Sequence, residues 1–144
     1  MRKINDYYSK KAKKEKYPAR SVYKLEEVQQ KYKFLARGDS VLDLGCYPGS
    51  WSLFAAEVGP KGIVVGVDLQ QADQIARPGG ASIHWLCQDI MTPEMIVAVR
   101  QFRPAFRVLI SDLAPKTTGN RWADAQQSLI LVRQTLALAE ELLL

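Results

Sequence analysis

A chain of 144 residues, 47% hydrophobic and 24% charged, is long enough to bury the core of one domain and too short to expect two. It contains no run approaching the ~18 apolar residues of a membrane-spanning helix, and no apolar stretch with a cleavage site behind its N-terminal lysines, so a cytoplasmic protein without a membrane partner is expected. Charge is uneven: the net is +5, yet residues 1–37 hold 12 of the 20 Lys/Arg against 4 of the 15 acids, leaving the remainder net negative.

That basic arm comes first in the chain, with Tyr7, Tyr8, Tyr17 and Tyr23 among its lysines. Lysines displace counterions from phosphates and aromatic rings stack on unpaired bases, so the pattern suits RNA. A solvated helical face explains the charge alone equally well. Residues 20–35 read as a helix, with Val22, Leu25, Val28, Gln29 and Tyr32 recurring at three and four, Ser21 as its cap and Gly38 as its stop. Apolar, β-rich runs follow at 41–44, 62–67, 82–86 and 107–110. Between and after them lie helices at 50–58, 93–101 and 123–144 and a weak turn at 70–75. Strand alternating with helix predicts an α/β domain over 38–144, with a parallel sheet in the order 3-2-1-4 and right-handed crossovers. A parallel sheet normally has its edges covered, so strands beyond the terminal "LALAEELLL" are expected to be missing.

Ligands of open parallel sheets sit beyond the carboxyl ends of the strands, where the strand order reverses. The stretch "VLDLGCYPGSWS" lies there. Gly45 and Gly49 would let the backbone pass close to a bound molecule, and a helix starting near Ser50 would offer free N–H groups to a carboxylate. Asp68 ends the second strand 19 residues after Gly49, close to the ~20-residue offset at which an acid accepts from ribose hydroxyls. Asp89 follows the third strand, placed for the exocyclic amine of adenine or, more simply, to cap its own turn. Asp112 in "LISDLAPKTTG" follows the fourth and should enter the same crevice as a partly buried acid. The turn lacks the third glycine of G-x-G-x-x-G, which disfavours a pyrophosphate and an NAD-dependent oxidoreductase; its Asp-Leu-Gly entry and Pro-Gly pair are similar to the first motif of S-adenosylmethionine-dependent methyltransferases. Cys46 and Cys87, with the single His84, are too few for a typical zinc site and are expected to be reduced and half buried.

Taken together, "RSVYKLEEVQQ", "VLDLGCYPGSWS", "GVDL", "QDI" and "SDLAPKTTG" resemble the FtsJ family of RNA ribose 2′-O-methyltransferases, from about Asp6 onward. The resemblance implies a Rossmann-like, doubly wound sheet, S-adenosylmethionine as methyl donor and ribosomal RNA, within a ribosomal particle, as acceptor, with no obligate protein partner. It implies cofactor contacts at Gly49, Trp51, Asp68, Asp89 and Asp112. Family catalysis uses a Lys-Asp-Lys-Glu tetrad; its first two members fall on Lys24 and Asp112, and the other two belong to strands beyond Leu144. The chain is therefore expected to be catalytically incomplete. Ser50 departs from the family's usual glycine and is expected to cap the helix. A transfer RNA substrate, or a non-catalytic RNA-binding module, stands as the alternative.

Overall fold

The computed structural model describes residues 2–144; Met1, at the head of the basic arm, lies outside the described residues. The elements run α1 (Arg2–Lys14), α2 (Val22–Tyr32), β1 (Ser40–Leu44), α3 (Ser50–Val58), β2 (Ile63–Asp68), β3 (Ser82–Cys87), α4 (Pro93–Arg100), β4 (Val108–Ser111) and α5 (Arg121–Leu142). All strand pairs are parallel and the order is β3-β2-β1-β4, as the alternation predicts. Each strand begins and ends within one residue of its expected run.

The sheet carries a hydrophobic layer on each face because side chains alternate along a strand. Val41, Val64 and Ile110 meet Phe54 and Ala55 of α3 and Val22 and Leu25 of α2. On the opposite face Leu42, Leu44, Val65 and Val67 meet Met95 and Val99 of α4 and Leu138 and Leu142 of α5. Each such fully buried side chain stabilises the fold by about 1.5–3 kcal/mol. The end of α5 is also tied to the start of β4: the Phe106 N–H donates to Leu142 O at 2.7 Å, and the Leu144 N–H to Phe106 O at 2.9 Å.

Three local expectations change. The helix expected over 20–35 stops at Tyr32, where Lys33 turns left-handed at φ 48°. Leu35 is thereby drawn into the core as non-helical chain, and the Gln29 side chain satisfies both its N–H and its carbonyl, at 2.9 and 3.0 Å. Of the expected stripe only Val22 and Leu25 are buried; Val28 and Tyr32 face solvent. The weak turn expected at 70–75 does not form: Asp68 Oδ1 accepts the Gln70 N–H at 2.9 Å, and residues 71–77 run on as an open loop. The basic arm, conversely, is helical over α1. Lys11, Lys13 and Lys14 oppose the negative end of its dipole, and Arg77 donates to the Glu15 and Lys16 carbonyls at 2.8 and 2.9 Å. Among the described residues no helix is long and apolar enough to cross a membrane.

Candidate active site

The turn after β1 is drawn against β2: the Gly45 and Cys46 N–H groups both donate to Val67 O, at 2.8 and 3.1 Å. The Tyr47 N–H then donates to Asp68 Oδ2 at 3.0 Å. With Gln70 on the other oxygen, Asp68 holds both the turn and the exit of its own strand. A carboxylate oxygen has two acceptor directions, so each keeps one for a ligand hydroxyl. Gly49, at φ +118°, precedes α3, whose first-turn N–H groups lack intrahelical partners.

Gly45 and Gly49 are required by protein neighbours as well as by backbone conformation. A Cβ on Gly45, at φ +80°, would lie 2.7 Å from Leu113 Cδ2; one on Gly49 would lie 3.0 Å from Trp85 Cη2. The clearance expected for a bound molecule is filled, on that side of the backbone, by side chains from beyond β4 and from β3. Gly45→Ala combines left-handed strain with the Leu113 collision and is expected to lower stability by about 1–3 kcal/mol. Urea unfolding measures this, and an unchanged midpoint would refute the close packing.

Other expected site residues separate by position. Asp89 is half-buried; its Oδ1 caps the turn by accepting the Met91 N–H at 2.9 Å, while Oδ2 makes no hydrogen bond within the chain. It borders an open cleft of about 400 Å³ lined by Leu69, Cys87, Gln88, Asp89, Thr92 and Glu94. Asp112 is exposed rather than buried, because β4 is an edge strand and the loop after it leaves the sheet. The Trp51 indole N–H donates to Ser21 O at 2.9 Å, and its ring is partly buried against the core layer that α2 and α3 share. Ser50 does not cap α3 with its side chain; its Oγ accepts the Ala19 N–H at 2.8 Å. These two bonds pin the entrance of α2 to the start of α3, and Lys24 is exposed in the first turn of α2. Lys24 and Asp112 make no ion pair with each other among the described residues.

The thiols also divide. Cys46 is buried against Gly66, and burial pushes its thiol well above the usual range, whereas Cys87, at the end of an edge strand, is exposed and donates to Leu69 O at 3.1 Å. His84 stacks on Phe102, with ring centroids 4.5 Å apart.

Sequence reading missed Asp43. It occupies a core position of β1, is 1% exposed, and accepts one hydrogen bond, from Ser52 Oγ to Oδ2 at 2.7 Å; Oδ1 has no partner. Burial raises its carboxyl to about 7 despite the Ser52 hydrogen bond, and the charges of Asp112 and Asp68 raise it further. The available signal was an acid inside the apolar run Val-Leu-Asp-Leu.

A parallel sheet reversing at β1, a glycine turn there, and acids following β2, β3 and β4 define a Rossmann-like methyltransferase fold. The FtsJ-like methyltransferase family matches residues 17–144, and the chain belongs to that family. It is 70% identical to the ribosomal RNA large subunit methyltransferase E of Desulfotalea psychrophila, over all of this chain and 72% of that protein. The protein of the same name from Syntrophobacter fumaroxidans is 45% identical over 97% of this chain and 70% of its own length. A crystal structure described as a ribosomal RNA methyltransferase from Plasmodium falciparum superposes with a TM-score of 0.77 at 26% identity, covering 89% of this chain and 73% of that one. FtsJ-like methyltransferases use S-adenosylmethionine as a general property of the family.

Proposed function

We propose that this chain binds S-adenosylmethionine beyond the ends of β1, β2 and β3 and serves methyl transfer to a ribose 2′-hydroxyl of large-subunit ribosomal RNA, presented within a ribosomal particle. The observation that carries the cofactor reading is Asp68: its carboxylate is locked by two backbone N–H groups, at 3.0 and 2.9 Å, at the strand end where ribose hydroxyls are recognised. Asp89 adds a free acceptor oxygen beside an open cleft of a size to take a purine. A cationic ligand also suits the negative field that Asp43, Asp68 and Asp112 share.

The cofactor, when bound, supplies an electrophilic methyl on a sulfonium. The chain's part is orientation. A ribose hydroxyl is a weak nucleophile near neutrality, and holding it at near-contact distance is worth more than any group added far away. Asp112, exposed and without a hydrogen bond in the chain, is free to accept from that hydroxyl, with Lys24 as donor. An ordinary lysine, at a pKa of ~10.4, keeps its proton at pH 7, so Lys24 alone orients rather than deprotonates. The RNA reading draws support from α1, which exposes Lys3, Lys10, Lys13, Lys14 and Tyr7 on the same N-terminal segment that leads to Lys24.

Calorimetric titration with S-adenosylmethionine tests the site. Asp68→Ala and Asp89→Ala are each expected to weaken binding roughly 10- to 100-fold, the worth of hydrogen bonds to a charged acceptor. Unchanged affinity in both variants would rule out this position for the cofactor; RNA binding with no response to the methyl donor would favour an RNA-binding module.

A further inference from the structure

Asp43 stands where a strand in this sheet should carry an apolar residue. Its register partners are Gly66 on β2 and Ile110 on β4, and its face of the sheet is covered by α3. Gly66 leaves a gap that Cys46 and Ser52 fill from above, since a Cβ there would lie 2.9 Å from Cys46 Cβ and 3.1 Å from Ser52 Oγ. The carboxyl is therefore sealed below the turn, 1% exposed, with one oxygen satisfied and the other not. Ser52 from α3 and Cys46 from the turn lie against it, and the charges of Asp68, at the end of β2, and Asp112, beyond β4, reach it from further away. None is a cation, and no Lys, Arg or His pairs with Asp43 among the described residues. A buried carboxylate with one hydrogen bond and two like charges nearby is costly, and taking up a proton is the ordinary remedy.

A ligand that brings positive charge over the turn above this carboxyl inverts the balance. We propose that Asp43 is a positioning residue that holds a proton in the free protein and releases it when the positively charged methyl donor binds above the turn, within reach of the charges of Asp43, Asp68 and Asp112, so that donor binding is coupled to proton release. The inference rests on the cofactor reading proposed above and adds to it a proton. On binding, the O–H bond of the carboxyl breaks and its proton passes to solvent; nothing is oxidised or reduced. The resulting carboxylate pairs electrostatically with the donor and keeps its Ser52 hydrogen bond, fixing β1 to the first turn of α3.

The direction follows from linkage. Burial puts the free carboxyl near 7, and a bound cation lowers it. Donor affinity is then fully expressed above pH 7 and lost as pH falls toward the lowered value. Between pH 8 and pH 6 the dissociation constant should weaken roughly 5- to 10-fold. Asp43→Asn, of the same shape but unable to ionise, should lose that dependence; any titration of the donor's own amine is common to both proteins and drops out of the comparison.

Calorimetry with S-adenosylmethionine at pH 7, in two buffers of different ionisation enthalpy, reads the proton count directly. The parent chain is expected to release about half a proton more than Asp43→Asn. Equal counts in two binding-competent proteins would overturn the proton coupling and leave the cofactor reading intact; absence of binding in both would overturn both. A measurement on the parent alone guards against a variant that misfolds. The infrared carbonyl band of a protonated carboxyl should be present in the free protein at pH 6 and disappear on saturation with the donor, and its persistence would overturn the proposal.

Discussion

Asp43→Asn is expected to stabilise the protein above pH 7 and to destabilise it below pH 5. A carboxyl moved from 3.8 to about 7 binds its proton more tightly in the folded chain than in the unfolded one. Its favourable contribution is complete below the unfolded value near 4 and declines as pH rises through about 7. Above that, the folded protein carries a buried anion whose penalty, at 1.36 kcal/mol per pKa unit, reaches about 4 kcal/mol. Asparagine avoids the anion but presents an amide N–H₂ where Oδ1 has no partner, a loss of about 1–3 kcal/mol. The second effect is independent of pH and the first is not. Urea unfolding from pH 4.5 to 8.5 should therefore give stability curves that cross, with the variant ahead by roughly 1–3 kcal/mol at the alkaline end. A parent that gains stability relative to the variant as pH rises would show that Asp43 is ionised and paired.

The sheet could be read from residue order because its signals are local. Strand runs rich in Val, Ile and Leu, broken by helices of different period, specify parallel pairing, and the positive φ angles at Gly45 and Gly49 explain why the turn falls where its glycines are. The helix expected at 50–58 coincides with α3 for the same reason, with left-handed Gly49 before it and Gly59 after it. What was hidden depends on distant partners. The end of α2 is decided by the amide of Gln29 reaching Leu35, and α1 is held by Tyr8 on Tyr23, at 5.4 Å, and by Arg77 from the loop after β2. Periodicity carries no trace of either.

The site divides in the same way. Asp68 and Asp89 were legible because each sits at a strand end, a position that order alone supplies. Trp51 was read by resemblance as a cofactor contact; its indole bond to Ser21 is a packing fact between helices. Asp43 was visible as an odd letter in an apolar run, but its missing partner exists only once Gly66, Cys46 and Ser52 close around it. The two glycines show the converse: their requirement was legible while its cause, Leu113 and Trp85, was not.

Lys24→Ala and Asp112→Ala are expected to differ in kind. Lys24 stands on α2, held to the start of α3 by Trp51 and Ser50, and on the proposed reading it attends the ribose hydroxyl and not the cofactor. Its removal should leave the dissociation constant of S-adenosylmethionine within about twofold and, in a chain extended to carry the other two members of the tetrad, lower single-turnover methyl transfer to RNA by about 10²-fold, the cost of losing an orienting group. Asp112 lies close enough to Asp43 to raise its carboxyl, so it contributes to the field a cationic donor meets. Asp112→Ala should therefore weaken donor binding, by roughly tenfold, and lower transfer as well. It should also let the Asp43 carboxyl fall, since one of the two repelling charges is gone, shrinking the advantage of Asp43→Asn at the alkaline end and moving the crossing of the stability curves to higher pH. Donor affinity and transfer are measured separately by calorimetry and by labelled methyl incorporation. Equal losses of donor affinity in the two variants would place Lys24 in the cofactor site rather than at the hydroxyl, and a full rate in Lys24→Ala would remove it from the reaction.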